Sequence, residues 1–266
     1  MPSFKFQDKY QVKVHVHEPN PDNDQGTTLV FLTAIGVPLR KYSKFFATLT
    51  AKGFTVIGAD YPCCGDNDPK LNRSVDYNYQ DIVDDFIPQL LAFSAQPNTY
   101  LLGHSLGGHM ATIYSALYDI PVIGIATGNL HYKNWSGRGK LNILRAVAVI
   151  KPLTKIYGYF PGYKISFGDK EAKGIMNDWC HTALTGRYDF ISNLDSKGGS
   201  KGRGLYFYIE GDDYAPYKST KNLAKLCAEH MLIPVSLPDH IKGNPHGAWI
   251  RDPEVIATKI AEQLQA

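Results

Sequence analysis

Four short, uninterrupted apolar runs, set apart by amphipathic segments, constrain this chain more than any other feature: Thr28–Ala34 (TLVFLTA), Phe54–Asp60 (FTVIGAD), Thr99–Leu102 (TYLL) and Pro121–Ala126 (PVIGIA). A strand with water on one face alternates apolar and polar residues, whereas a strand covered on both faces is apolar throughout. The runs therefore predict a parallel sheet packed between helices. The intervening segments supply those helices. Residues 40–51 bring Tyr42, Phe45, Phe46 and Leu49 to one face, with Gly53 as a stop. Residues 79–94 repeat the pattern with Ile82, Phe86, Leu90 and Leu91, and place Asp81, Asp84 and Asp85 in the early turns, where the helix dipole favours acids. Ahead of them Val12, Val14 and Val16 alternate, as in a half-buried antiparallel strand near a sheet edge. Strand and helix alternating over 28–126 is the signature of a doubly wound α/β core.

The alternation breaks over 128–200. This stretch is rich in aromatics, among them Tyr132, Trp135, Tyr157, Tyr159, Phe160, Tyr163, Phe167 and Trp179, and ends in the turn-rich Ser196–Gly204 (SKGGSKGRG). It reads as a mostly helical cap, residues 128–200, inserted into a core formed by 1–127 and 201–266. The core pattern then resumes with a strand at Leu205–Ile209, a helix over 216–230, a strand at Ile233–Leu237 and a helix over 253–265. A length of 266 residues suits one such core plus an insertion.

Charge and cysteine usage exclude several classes. With 28 basic against 25 acidic residues, a net charge of +3 and no long basic run, neither nucleic acid nor an anionic membrane is implied as a partner. The N-terminus lacks the apolar stretch of a signal peptide, and the greasiest later segment, 141–163, carries Arg145, Lys151 and Lys155, so no membrane span is expected. Four cysteines, two of them the adjacent Cys63 and Cys64, make no disulfide framework in a chain of this size and point to a reduced, cytoplasmic setting. No second Cys/His pair at ligand spacing accompanies Cys63 and Cys64, so no metal site is expected.

The chemistry is concentrated in Gly103-His104-Ser105-Leu106-Gly107, a G-x-S-x-G between an apolar run and an amphipathic helix. A serine hydroxyl attacks poorly unless a base takes its proton, and a sharp strand-to-helix turn lifts the hydroxyl towards such a base. The same turn leaves the Leu106 amide free to meet an oxyanion. A triad built on this turn continues with an acid after a later strand and a histidine near the C-terminus. Asp212 and Asp213 follow the strand ending at Ile209. His246, in Gly243–Trp249 (GNPHGAW), lies between the last strand and the last helix, with His240 as the second choice. His104 packs beneath the serine in this reading. The second oxyanion donor is assigned to the loop after the first run, at Ile35, with Gly36 as the alternative.

This set of residues resembles the α/β-hydrolase superfamily, and more narrowly the hydrolases related to serine aminopeptidases and monoacylglycerol lipases. The marks are Ala34–Pro38 followed by Tyr42 and Phe45, Gly58–Tyr61, Gly103–Gly108, Asp178–Cys180 with Tyr188, Asp212–Pro216 and His246. The chain departs from them at Pro62–Asn67, where relatives carry a basic, glycine-rich turn. The resemblance implies the α/β-hydrolase fold, a mostly parallel central sheet flanked by helices with an inserted helical cap. It implies Ser105 as nucleophile and His246 as base. In this fold the acid commonly stands four residues before a proline such as Pro216, which favours Asp212 and leaves Asp213 open. The expected activity is cleavage of a carboxylic ester or related acyl bond of a small, apolar substrate, with no cofactor. Trp135, Tyr159 and Trp179 are expected either to line the substrate pocket or to pack the cap. A thioesterase, an aminopeptidase or an acyltransferase on the same triad are the rivals among enzymes, and a catalytically silent binding protein is the rival from another class.

Overall fold

The computed structural model describes residues 2–165, 167–194 and 201–265. Strands β1 (Ser3–Phe6) and β2 (Tyr10–Lys13) pair as an antiparallel hairpin apart from the main sheet. The main sheet takes β3 (His15–His17), β4 (Thr27–Leu32), β5 (Thr55–Gly58), β6 (Asn98–His104) and β7 (Val122–Ile125). The two-residue strands β8 (Phe160–Pro161) and β9 (Lys170–Glu171) pair with each other, and β10 (Arg203–Ile209) and β11 (Glu229–Val235) complete the main sheet. The helices are α1 (Ser43–Ala51), α2 (Tyr79–Asp81) and α3 (Ile87–Leu91), α4 (Leu106–Tyr118), α5 (Gly137–Tyr157), α6 (Lys173–Thr185), α7 (Tyr217–Ala224), α8 (Pro245–Ala248) and α9 (Glu254–Leu264). A π turn at Ile82–Phe86 joins α2 to α3, just ahead of Pro88, which has no N–H to give the ordinary helical bond.

The strand order is β11-β10-β7-β6-β4-β5-β3, parallel throughout except for β3 at its edge. All six residues of β4 are buried, as its apolar sequence requires. Leu29 and Phe31 pack with Phe45, Phe46 and Leu49 of α1 and with Ile256 and Ile260 of α9. Val30 and Leu32 face the opposite core with Met110 and Ile113 of α4. From β4 the chain moves out to β5 on one side and returns to β6 on the other. A crevice opens outside the carboxyl ends of β4 and β6, the switch point at which sheets of this kind place ligands.

Two local expectations change. The alternating strand over 11–17 is split, Val12 belonging to the hairpin and Val16 to β3. The helix expected to reach 230 stops at Ala224, and Glu229 already pairs with Arg203 of β10. As an edge strand with Glu229, His230 and Met231 exposed, β11 carries no apolar signature over its first half, and an edge also tolerates Pro234.

Between β7 and β10 lie α5, α6 and the β8–β9 pair. This segment is fastened to the loop before α2. The Gly174 N–H donates to Asp76 Oδ1 at 2.7 Å and the Ile175 N–H to the Tyr77 carbonyl at 3.0 Å, while Asp178 Oδ2 accepts from the Tyr79 N–H at 3.0 Å. Of the turn expected over 196–204, residues 196–200 lie outside the described residues. Among the described residues no helix is long and apolar enough to cross a membrane.

Candidate active site

Ser105 sits between the end of β6 and the start of α4 with φ +53° and ψ −115°, a conformation that side chains seldom adopt and that local packing must enforce. Close backbone approach is what enforces it. A Cβ on Gly103 would lie 2.3 Å from the Gly107 carbonyl carbon, and one on Gly107 would lie 2.1 Å from the Leu32 carbonyl oxygen, so only glycine lets α4 begin this close to β6 and β4. The serine backbone is also bonded at both ends. Its N–H donates to the Ile125 carbonyl at 3.0 Å, and its own carbonyl accepts from Thr127 Oγ1 at 2.6 Å and from the His109 N–H at 3.0 Å.

His246 approaches from α8, where Pro245 holds the first helical position and Asn244 Oδ1 accepts the His246 N–H at 2.9 Å. Its Nε2 lies 2.9 Å from Ser105 Oγ and its Nδ1 lies 2.8 Å from Asp212 Oδ2. Asp212 is fully buried at its side chain and cannot donate when ionised, so the ring proton belongs on Nδ1, and Nε2 is left to accept from the serine hydroxyl. The other carboxylate oxygen accepts the N–H groups of Tyr214 at 2.7 Å and Ala215 at 3.0 Å. Asp213 is exposed and meets the site through its backbone carbonyl, which accepts from Trp135 Nε1 at 2.7 Å. His240 is exposed and bonded to Asp252 at 2.8 Å.

His104 does lie beneath the serine, but it is a connector as well as packing. Its Nε2 is 2.8 Å from the His246 carbonyl, which accepts only, so the proton is on Nε2. Burial, reinforced by the neighbouring His246, holds its pKa well below the usual histidine value and keeps the ring neutral. Nδ1 is then an acceptor, met at 2.8 Å by the Tyr42 hydroxyl, whose oxygen accepts from the Ala34 N–H at 3.2 Å. One buried chain of hydrogen bonds thus ties the loop after β4 to the backbone of His246. Trp249 Nε1 adds a second donor to that carbonyl at 3.1 Å.

Leu106 is the first residue of α4, and its N–H has no acceptor within the helix. Ser105, Leu106, Ile35 and His246 together line a space of about 30 Å³, enough for one small oxygen-centred group. Gly36 lies beside the carboxyl of Glu171 from β9, whose charged form its N–H favours. That carboxyl is buried, and burial together with the nearby Asp169 pushes its pKa up to about 8 despite the amide. Asp60 holds the same loop from the other end, its oxygens accepting the N–H groups of Leu39 at 2.7 Å and Asp66 at 3.0 Å. The turn that departs from the relatives' pattern closes beneath it, with Gly65 at φ +53°.

Above Ser105 a cavity of about 1410 Å³ opens to solvent, and Trp135 and Trp179 line it. Tyr159 does not. The part of α5 that borders the cavity ends near Ala146, and the helix runs on to Tyr157, roughly 16 Å further at a rise of about 1.5 Å per residue, before Gly158 ends it and Tyr159 follows. Its ring lies instead beside Tyr157 and the Lys170 ammonium. Tyr188 closes a second buried cluster behind the serine, with its hydroxyl 2.7 Å from His109 Nε2 and 3.1 Å from Asn129 Nδ2. Sequence reading missed the Tyr42–His104 connection and Glu171. Their only signal was a polar atom at a position whose pattern is otherwise that of core.

A family model described as alpha/beta hydrolase fold matches residues 27–132. Among curated proteins no sequence matches the chain. Among solved structures it is similar to a carboxylesterase of the thaumarchaeon Nitrososphaera gargenis, with a TM-score of 0.65 at 14% identity over 99% of this chain and 98% of that one. It is similar to the enol-lactonase of Burkholderia xenovorans LB400, with a TM-score of 0.65 at 13% identity over 100% of both chains. It is also similar to Est1E of Butyrivibrio proteoclasticus, whose structure holds ferulic acid, with a TM-score of 0.64 at 12% identity over 100% of this chain and 98% of that one.

Proposed function

From the α/β-hydrolase fold of this chain, we propose that it is a serine hydrolase that cleaves a carboxylic ester through an acyl-enzyme on Ser105. The observation that carries the reading is the unbroken line from Ser105 Oγ through His246 to Asp212, at 2.9 and 2.8 Å. In this reading Ser105 Oγ attacks the carbonyl carbon while His246 Nε2 takes the hydroxyl proton. Asp212 stabilises the imidazolium and does not itself take the proton. The carbonyl oxygen, now an oxyanion, enters the small space beside Leu106 and Ile35, where amide donors fixed in advance stabilise it without reorganisation. As the intermediate collapses the ester C–O bond breaks, and His246 returns the proton to the leaving alkoxide. Water then repeats the sequence on the acyl-enzyme, releasing the acid and restoring Ser105.

The apolar side chains around the cavity favour an acyl chain, which is bound by burial alone. A series of p-nitrophenyl esters tests both parts of the reading. Hydrolysis should rise by up to about fourfold per added methylene over the first several carbons. Ser105→Ala should lower it by about 10³-fold or more. A Ser105→Ala protein that keeps the wild-type rate would rule the mechanism out, and a flat length profile would rule out the apolar acyl site.

A further inference from the structure

The cavity above Ser105 is apolar inside and cationic at its mouth. Ile35, Val37, Leu130, Ile143, Phe167 and Trp179 contribute apolar surface. Of the Asp, Glu, Lys and Arg residues that also line it, four are basic, Lys41, Lys44, Arg138 and Arg251, and one is acidic, Asp213. The chain as a whole is nearly balanced, with 28 basic against 25 acidic residues, so the excess is local.

The four cations come from three separate parts of the fold. Lys41 and Lys44 stand three residues apart where a short 3-10 turn runs into α1, Arg138 lies in the first turn of α5, and Arg251 follows α8. All four are exposed, and among the described residues none takes part in an ion pair. The neighbouring Arg40 shows the contrast, since it is paired with Asp66 at 3.4 Å and lies outside this cavity. Lys44 Nζ donates to the Arg251 carbonyl at 3.0 Å, which keeps the two basic residues together. The Lys44 charge acts on Asp252, but His240 holds that acid and it does not line the cavity.

Unpaired like charges around a low-dielectric cleft focus a field that concentrates and orients anions. We infer that the substrate is an amphiphilic ester with an anionic group, a carboxylate or a phosphate, outboard of its scissile carbonyl. The apolar wall takes the acyl chain and the basic mouth takes the charge. The inference rests on the serine-hydrolase reading and names the substrate class for that same site.

The test compares three hexanoyl esters of similar phenols: 3-carbamoylphenyl (neutral), 3-carboxyphenyl and 3-phosphonooxyphenyl. The ratio of kcat/KM for an anionic ester over the neutral one should be about tenfold at low salt. It should fall as salt rises from about 0.01 to 1 M and the screening length contracts from about 30 to 3 Å. The double variant Lys41→Glu with Arg138→Glu should lower the ratio by about tenfold. The wild-type salt response stands as evidence even where that variant fails to fold. A preference for only one of the anionic esters identifies which group the mouth recognises. Ratios at or below one that neither salt nor substitution moves would overturn the inference while the neutral ester's hydrolysis upholds the mechanism. Absence of turnover on all three esters would overturn both.

Discussion

Asp212 and Asp213 are neighbours of identical chemistry in opposite circumstances. Asp212 is buried, with one oxygen on His246 and the other on two backbone amides, whereas Asp213 is exposed and its carbonyl accepts from Trp135 Nε1. Asp212→Asn removes the acceptor that fixes the imidazole tautomer and should lower kcat by about 10³- to 10⁴-fold. Asp213→Asn should leave kcat on a neutral ester within a few-fold. Steady-state kinetics on both variants checks the assignment, and equal losses would contradict it. Tyr42 makes a different kind of contribution. Tyr42→Phe leaves His104 Nδ1 without a donor and the Ala34 N–H without an acceptor, both buried. The variant should be less stable by about 1–3 kcal/mol in urea titration. It should also lower kcat more than it changes KM, because the chain it breaks runs to the loop after β4 and to the backbone of His246.

At the scale of elements, the short strand β9 matters through Glu171, which reaches from the segment between β7 and β10 to the loop after β4. Its carboxyl has an ordinary pKa of 4.5 and is raised to about 8 in the fold by burial first and Asp169 second. Such a group binds a proton more tightly folded than unfolded, so it costs nothing below about pH 4.5, costs progressively more as pH rises, and reaches a plateau above about 8. Glu171→Gln keeps the size of the side chain and removes the titration. The stability of this variant relative to wild type should therefore rise between about pH 4.5 and 8 and then level off, as urea unfolding at a series of pH values would show. A difference independent of pH would mean that the carboxyl is solvated. Elements also differ in how openly the sequence declares them. β4 is apolar over its last four residues, Leu29–Leu32, because both its faces are covered, and it is legible at once. β11 is an edge strand whose first three residues are exposed, so only its pairing with β10 reveals it.

For the molecule as a whole, what was legible is what depends on chain order. The runs that become β4, β5, β6 and β7 are local in sequence, and the serine, acid and histidine follow one another in the order that the topology delivers to one end of the sheet. Structure alone brings out what depends on distant pairs. Tyr42 and His104 are 62 residues apart and both read as core. Glu171 stands 135 residues from Gly36, whose N–H favours its charged form, and the basic mouth draws on positions scattered from Lys41 to Arg251. The aromatic character of Tyr159 leaves pocket lining and cap packing equally open, and only its place beyond the far end of α5 decides between them. If this arrangement activates Ser105, a fluorophosphonate probe should label the folded protein at one residue, Ser105, as peptide mass spectrometry of the adduct would show. The label should be absent in Ser105→Ala and strongly slowed in His246→Ala. Folded wild-type protein that takes no label, or takes it at another residue, would mean that Ser105 is not activated.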